Sequence, residues 1–147
     1  IYFAAFGEMD AVAIHAELGA SPFAKFARYT DEVELLPADR LIIFTQHATD
    51  EQALKLAQKM HDDFIPFAAV ASEVAETGNK LSELAYTYIS LKVRGGILPH
   101  PTKLGERIVF PHLMAALYIY EAIKMEFDEM LVDDDEDEEE ESISPFA

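Results

Sequence analysis

Cysteine is absent from the 147-residue chain, which excludes disulfides and every reaction that runs through a thiolate. That absence accords with a reducing compartment, and the chain is expected to be cytoplasmic. No apolar run approaches the roughly 18 residues that a membrane-spanning helix needs, and no signal peptide is visible. Basic residues are scarce: 11 lysines and arginines stand against 28 aspartates and glutamates, a formal net charge of −17. Nine of those negative charges form one run, 133–141, and the rest of the chain still carries −8. An acidic surface repels phosphate backbones and anionic lipid, so neither nucleic acid nor membrane is an expected partner. The run repels itself and buries nothing, which predicts a disordered, solubilising tail over 133–147. A dock for a basic partner is the other use of the same charges. No internal repeat is present. Half of the residues are apolar, enough for 1–132 to bury a core as one domain. The sequence begins at Ile1 inside an apolar run, so a preceding helix is expected to be missing from it.

The most informative stretch is 41–58, LIIFTQHATDEQALKLAQ. Its first four residues are continuously apolar, the pattern of a strand covered on both faces. Thr49 stands three residues before Gln52, the spacing of a capping box, and Ala53, Leu56, Ala57 and Met60 recur behind it at helical spacing. A second apolar run covers 64–71. Strand, helix and strand within about 30 residues form a βαβ unit with a right-handed crossover.

Around this unit, 1–6 (IYFAAF) reads as another buried strand, ended by Gly7. Residues 10–18 turn helical, with Ala11, Ile14 and Leu18 on one face, Gly19 as the stop and Pro22 beyond. An edge strand fits 24–29. Turn residues occupy 72–79, a short helix 80–85, and a strand 86–93, ended by Arg94, Gly95 and Gly96. After a loop at 99–105, the longest helix spans 110–131, with Pro111 near its first turn. Leu113, Ala116, Leu117, Tyr120, Ile123 and Phe127 make its core stripe. Met114, Tyr118 and Met125 form a second apolar face, which suggests a homodimer or higher oligomer assembled through this helix.

Five strands alternating with helices make a flavodoxin-like three-layer α/β sandwich, a five-stranded parallel sheet in the order 2-1-3-4-5. Ligands bind such sheets outside the carboxyl ends of the strands, where neighbouring connections leave toward opposite faces. Two loops meet there, 7–10 and 45–49. The amides of a helix N-terminus suit a phosphate, and the hydroxyls of Thr45 and Thr49 would add donors. Thr49 serves equally well as a simple helix cap, and Asp50 and Glu51 oppose an anion.

The turn Thr45, Gln46, His47, Ala48, Thr49, Asp50, Glu51 resembles the S-x-S-G-x-T-x-E turn of the SIS (sugar isomerase) domain, in particular its phosphoheptose isomerase branch. His47 and Ala48 replace the second hydroxyl and the glycine, and aligning Thr49 with Glu51 needs a one-residue deletion. Gly105, Arg107, Phe110, Pro111, Leu113, Met114, Ala115, Ala116, Leu117, Tyr118 and Tyr120 are similar to a G-x-R-x-x-F-P-x-L-M-x-A-L-Y-x-Y pattern in uncharacterised bacterial proteins described as phosphosugar isomerases. Asp10, Ala11 and Glu17 fit the family's D-A-x-H-x-x-x-E helix, with Ala13 in place of its histidine. The glycine-rich turn of that family is here reduced to Phe6, Gly7, Glu8 and Met9.

What the resemblance implies is a phosphorylated sugar as ligand and aldose–ketose isomerisation, which needs a base beside the carbonyl and an acid to return the proton. Glu17 would be the base, though a solvated helix carboxylate has the same spacing. Gly7, Thr45, Gln46, His47 and Thr49 would hold the phosphate. Lys103 and Arg107, cations before the last helix, would close over it. The family's histidine on that helix falls near Met114, two positions from His112. His15, His47, His61 and His100 show no ligand spacing, so no metal is expected and no cofactor is implied. The alternative is a non-catalytic regulatory or interaction module that has kept the fold.

Overall fold

Strand alternation sorts the apolar residues of this chain into two cores, one on each side of a parallel sheet. The computed structural model describes residues 1–19, 26–74, 78–93 and 95–142, with side chains up to 132. Strands β1 (Tyr2–Ala5), β2 (Ala27–Arg28), β3 (Leu41–His47), β4 (Phe67–Ser72) and β5 (Thr87–Ser90) lie in the order β2-β1-β3-β4-β5, with every neighbouring pair parallel. This is the expected order. On one face, Phe3, Ile42, Phe44 and Val70 pack beneath helices α1 (Asp10–Leu18) and α4 (His112–Ser142). On the other, Ala4, Leu41, Ile43, Ala69 and Ala71 meet α2 (Glu51–Asp62) and α3 (Lys80–Leu84). Both faces are covered, which is why 41–44 is apolar throughout instead of alternating.

Edge-to-face aromatic contacts fix the α1/α4 side. The Phe3 ring lies 5.7 Å from Phe26 and 5.5 Å from Tyr120, whose own ring is 6.1 Å from Phe26. Ala116 and Tyr120 of the expected α4 stripe are buried, with Leu113, Leu117 and Ile123 packed against them. Met114, Tyr118 and Met125 stand exposed.

Several local expectations change. The buried face of α1 is Val12, Ala13 and Ala16, whereas Ala11, Ile14 and Leu18 point outward. Small side chains let the helix approach the sheet closely, and the larger ones turn to solvent. Residues 64–66 are not strand: Phe64 adopts φ +57° in the turn after α2 and is 93% exposed. The expected loop at 99–105 is the turn of a small hairpin, β6 (Leu98–Pro99) against β7 (Arg107–Ile108). Helix α4 extends to Ser142. Pro22, the first residues of the expected edge strand, the middle of the turn at 72–79, Arg94 and 143–147 lie outside the described residues.

Candidate functional site

The chain leaves β1 through Gly7, at φ +61°, and a single 3-10 turn (Gly7–Met9) that leads into α1. It leaves the neighbouring strand β3 toward α2, on the opposite face, so the crevice of the fold opens between these exits. β3 carries an irregularity here: Phe44 pairs with Val70 but His47 with Ser72, so β3 holds one residue more than β4.

His47 and His112 meet at this crevice, their rings 5.4 Å apart and nearly perpendicular. His47 is exposed, and His112, the first residue of α4, is fully buried beneath it. Both ring nitrogens of His112 lack a hydrogen-bond partner among the described residues, and so does the buried Ser72 hydroxyl. Burial of a polar ring without partners is costly, which marks the histidine pair as the candidate site. Burial pushes the His112 imidazole below its ordinary range, the neighbouring His47 adds to that, and the Glu8 carboxylate opposes it. A neutral buried imidazole therefore lies beneath an exposed one, with a carboxylate close enough for its charge to be felt.

The other half of the expected phosphate turn is arranged differently. Asp50, not Thr49, caps α2: its Oδ1 accepts the amides of Gln52 at 2.9 Å and Ala53 at 3.4 Å. Both residues are good caps one position apart, and the chain uses the carboxylate. Thr45 is fully buried and donates its hydroxyl to Asp50 Oδ2 at 2.9 Å. A carboxylate thus already sits where the dipole and free amides of α2 would attract an anion. Thr49 is exposed in the turn and Gln46 is half-buried in β3.

The remaining expected residues divide. Gly7 lies at the crevice. Glu17 does not: it accepts the Arg28 amide at 3.3 Å on the edge strand β2, two strands from β3. Arg107 donates to the carbonyls of Gly96 and Ile97, which makes it a brace of the 96–108 segment. Lys103 lies 3.8 Å from Glu106, exposed. Glu8 and Ser72 were not among the expected residues, because they meet the histidines only through the ends of two strands and no spacing marks them. Among the described residues no group of three or more metal-ligating side chains converges.

A sequence model of a domain of unknown function, DUF2529, matches residues 1–131. The chain belongs to the DUF2529 family. The DUF2529 domain is also 24% identical over 132 residues to the uncharacterised protein YwjG of Bacillus subtilis (strain 168), covering 89% of this chain and 75% of that protein. Its fold resembles a crystal structure described as that of a hypothetical protein, with a TM-score of 0.56 and 14% identity, covering 91% of this chain and 74% of the other. No helix of the described domain is long and apolar enough to cross a membrane.

Proposed function

We propose that this DUF2529 domain is a phosphosugar-binding protein related to the SIS domains and acts as an aldose–ketose isomerase of the phosphoheptose type. The observation that supports it most is the buried, partnerless His112 beneath His47 at the switch point of the sheet. Isomerisation through an enediol moves one proton off and one proton on. Glu8 and His47, both exposed at the mouths of the two loops, are the pair positioned to exchange protons with a sugar, and His112 orients His47 from below. In this arrangement Glu8 takes the part that the family resemblance gave to Glu17, whose carboxylate is bonded at the sheet edge.

A second reading has its own support. The Asp50 carboxylate fills the α2 N-terminus and engages the Thr45 hydroxyl, which favours a non-catalytic module that has kept the fold. Met114 and Tyr118, 74% and 77% exposed on one face of α4, would then serve assembly with a second copy. A thermal-shift titration with aldose and ketose phosphates, with free phosphate and unphosphorylated sugars as controls, separates the two. Saturable stabilisation by a sugar phosphate, accompanied by turnover that Glu8→Gln and His47→Ala each abolish, supports the isomerase. No shift, together with a dimer in sedimentation that Met114→Lys/Tyr118→Lys dissociates, supports the module.

A further inference from the structure

A groove of about 570 Å³ opens on the α2 side of the sheet, across β1 from the histidine pair. It is lined by Phe6 after β1, by Lys55, Leu56 and Lys59 of α2, and by Thr30 and Asp31 after β2. The volume suits a small molecule, and the position is the carboxyl end of the sheet, where β1 and β2 release the chain. The two lysines, four residues apart, project from one face of α2, with about 5–6 Å between their Cβ atoms. Neither makes an ion pair or side-chain hydrogen bond among the described residues, although the chain has 28 acidic residues for 11 basic ones. Glu51, one turn before Lys55, and Asp63, one turn after Lys59, form no ion pair with them. Lys80, Lys92 and Lys124 likewise form no ion pair among the described residues; what sets Lys55 and Lys59 apart is that both line this groove.

We infer that this groove binds the phosphate of a small polyhydroxylated phosphate monoester. Two ammonium groups complement a dianion, and lysine holds phosphate as a point charge without demanding bidentate geometry. Phe6 and Leu56 take the carbon chain. Asp31 and Thr30 accept hydroxyl hydrogens, and the Asp31 carboxylate repels a second anionic group, so the phosphate faces Lys55 and Lys59 and the polyol faces Asp31. This anchor replaces the α2 amides that Asp50 already occupies. Only the polyol character of the ligand rests on the sugar-phosphate reading above; the anion site stands on the groove and its lysines.

The test is calorimetric titration of the full chain with inorganic phosphate, glycerol 3-phosphate and ribose 5-phosphate, with ribose as the uncharged control. Lys55→Ala/Lys59→Ala removes two exposed side chains and should leave the fold unchanged by circular dichroism. The expected result is one site for the esters, weakened about tenfold or more in this variant, kept within a few-fold in Lys55→Arg/Lys59→Arg, and retained in His47→Ala. Affinity should rise as the phosphate loses its second proton near pH 6. Esters that bind the lysine-free variant as well as the wild type, but not His47→Ala, would overturn this placement and leave the sugar-phosphate reading standing. Equal affinity for all three phosphates, lost with the lysines, upholds the anion site and counts against the sugar. Absence of binding by every phosphate at millimolar concentration overturns the inference.

Discussion

Replacing Asp50 by alanine tests the turn most directly, because one carboxylate there accepts three hydrogen bonds. Two come from the amides of Gln52 and Ala53 and one from the Thr45 hydroxyl. Loss of an N-cap costs about 1 kcal/mol. Thr45 is fully buried, so its hydroxyl would be orphaned at a further cost of about 1–3 kcal/mol. Asp50→Ala is therefore expected to destabilise by about 2–4 kcal/mol, a fall in Tm of about 6–12 °C at this chain length. Urea unfolding with an unchanged slope would give the same difference from the midpoint. Asp50→Asn keeps an acceptor for the amides and should cost less. Thr45→Val in the Asp50→Ala background removes the orphan, so the double variant should be more stable than the sum of the two single changes, by about 1–2 kcal/mol. A loss below about 0.5 kcal/mol in Asp50→Ala, or strict additivity in the cycle, would refute the reasoning.

Three further outcomes are expected. Tyr120 has a buried hydroxyl with no partner among the described residues, and burial, aided by Glu121 and Asp128, pushes its phenol up to about 12. Tyr120→Phe should stabilise by up to about 1 kcal/mol, and it should abolish the wild type's loss of stability as pH rises from about 10 through about 12, read from Tm against pH. His112 has its pKa lowered from 6.5, so its contribution is present above that value and lost as pH falls through the folded value. His112→Gln should flatten that part of the acid limb, and proton NMR should show the His112 ring titrating below 6.5. At Gly96 an added Cβ would meet Arg107 C at 2.7 Å and Ile108 N and O at 2.8 Å, all backbone atoms that cannot swing aside. Gly96→Ala should destabilise by about 1–3 kcal/mol, whereas Gly78→Ala, with nothing within 4 Å among the described residues, should be tolerated in chemical denaturation.

The sheet was legible because its strands are buried on both faces and appear as short apolar runs, and because right-handed crossovers leave few possible orders. The faces of α1 were not legible: alanine satisfies either side of a helical wheel, and only contact with the sheet decides that Ala13 and Ala16, not Ile14 and Leu18, turn inward. The cap of α2 was displaced by one residue because Thr49 and Asp50 are both competent, and the buried Thr45 hydroxyl, which no local pattern reveals, bonds to Asp50. Of the candidate site, His47 and Gly7 could be placed by reasoning from loops, while the pairing of His47 with His112 joins elements 65 residues apart. Motif spacing drew Glu17 into the site, but its helix carries it to the sheet edge.

The extra residue in β3 acts on sidedness as a frameshift acts on codons. Up to Phe44, odd-numbered residues of β3 face α2 and even-numbered ones face α4, and Thr45 keeps that rule by reaching Asp50. After the irregularity the parity reverses, and His47, opposite Ser72, emerges on the α4 side where His112 waits. Were β3 regular through position 47, His47 would keep the odd-numbered parity and face α2, about the 10 Å spacing of packed layers from its partner, whereas deleting Gln46 moves the histidine to an even position opposite Ser72 and keeps it on the α4 side. The extra residue thus carries His47, an odd-numbered residue, to the face that the even-numbered positions of β3 otherwise occupy.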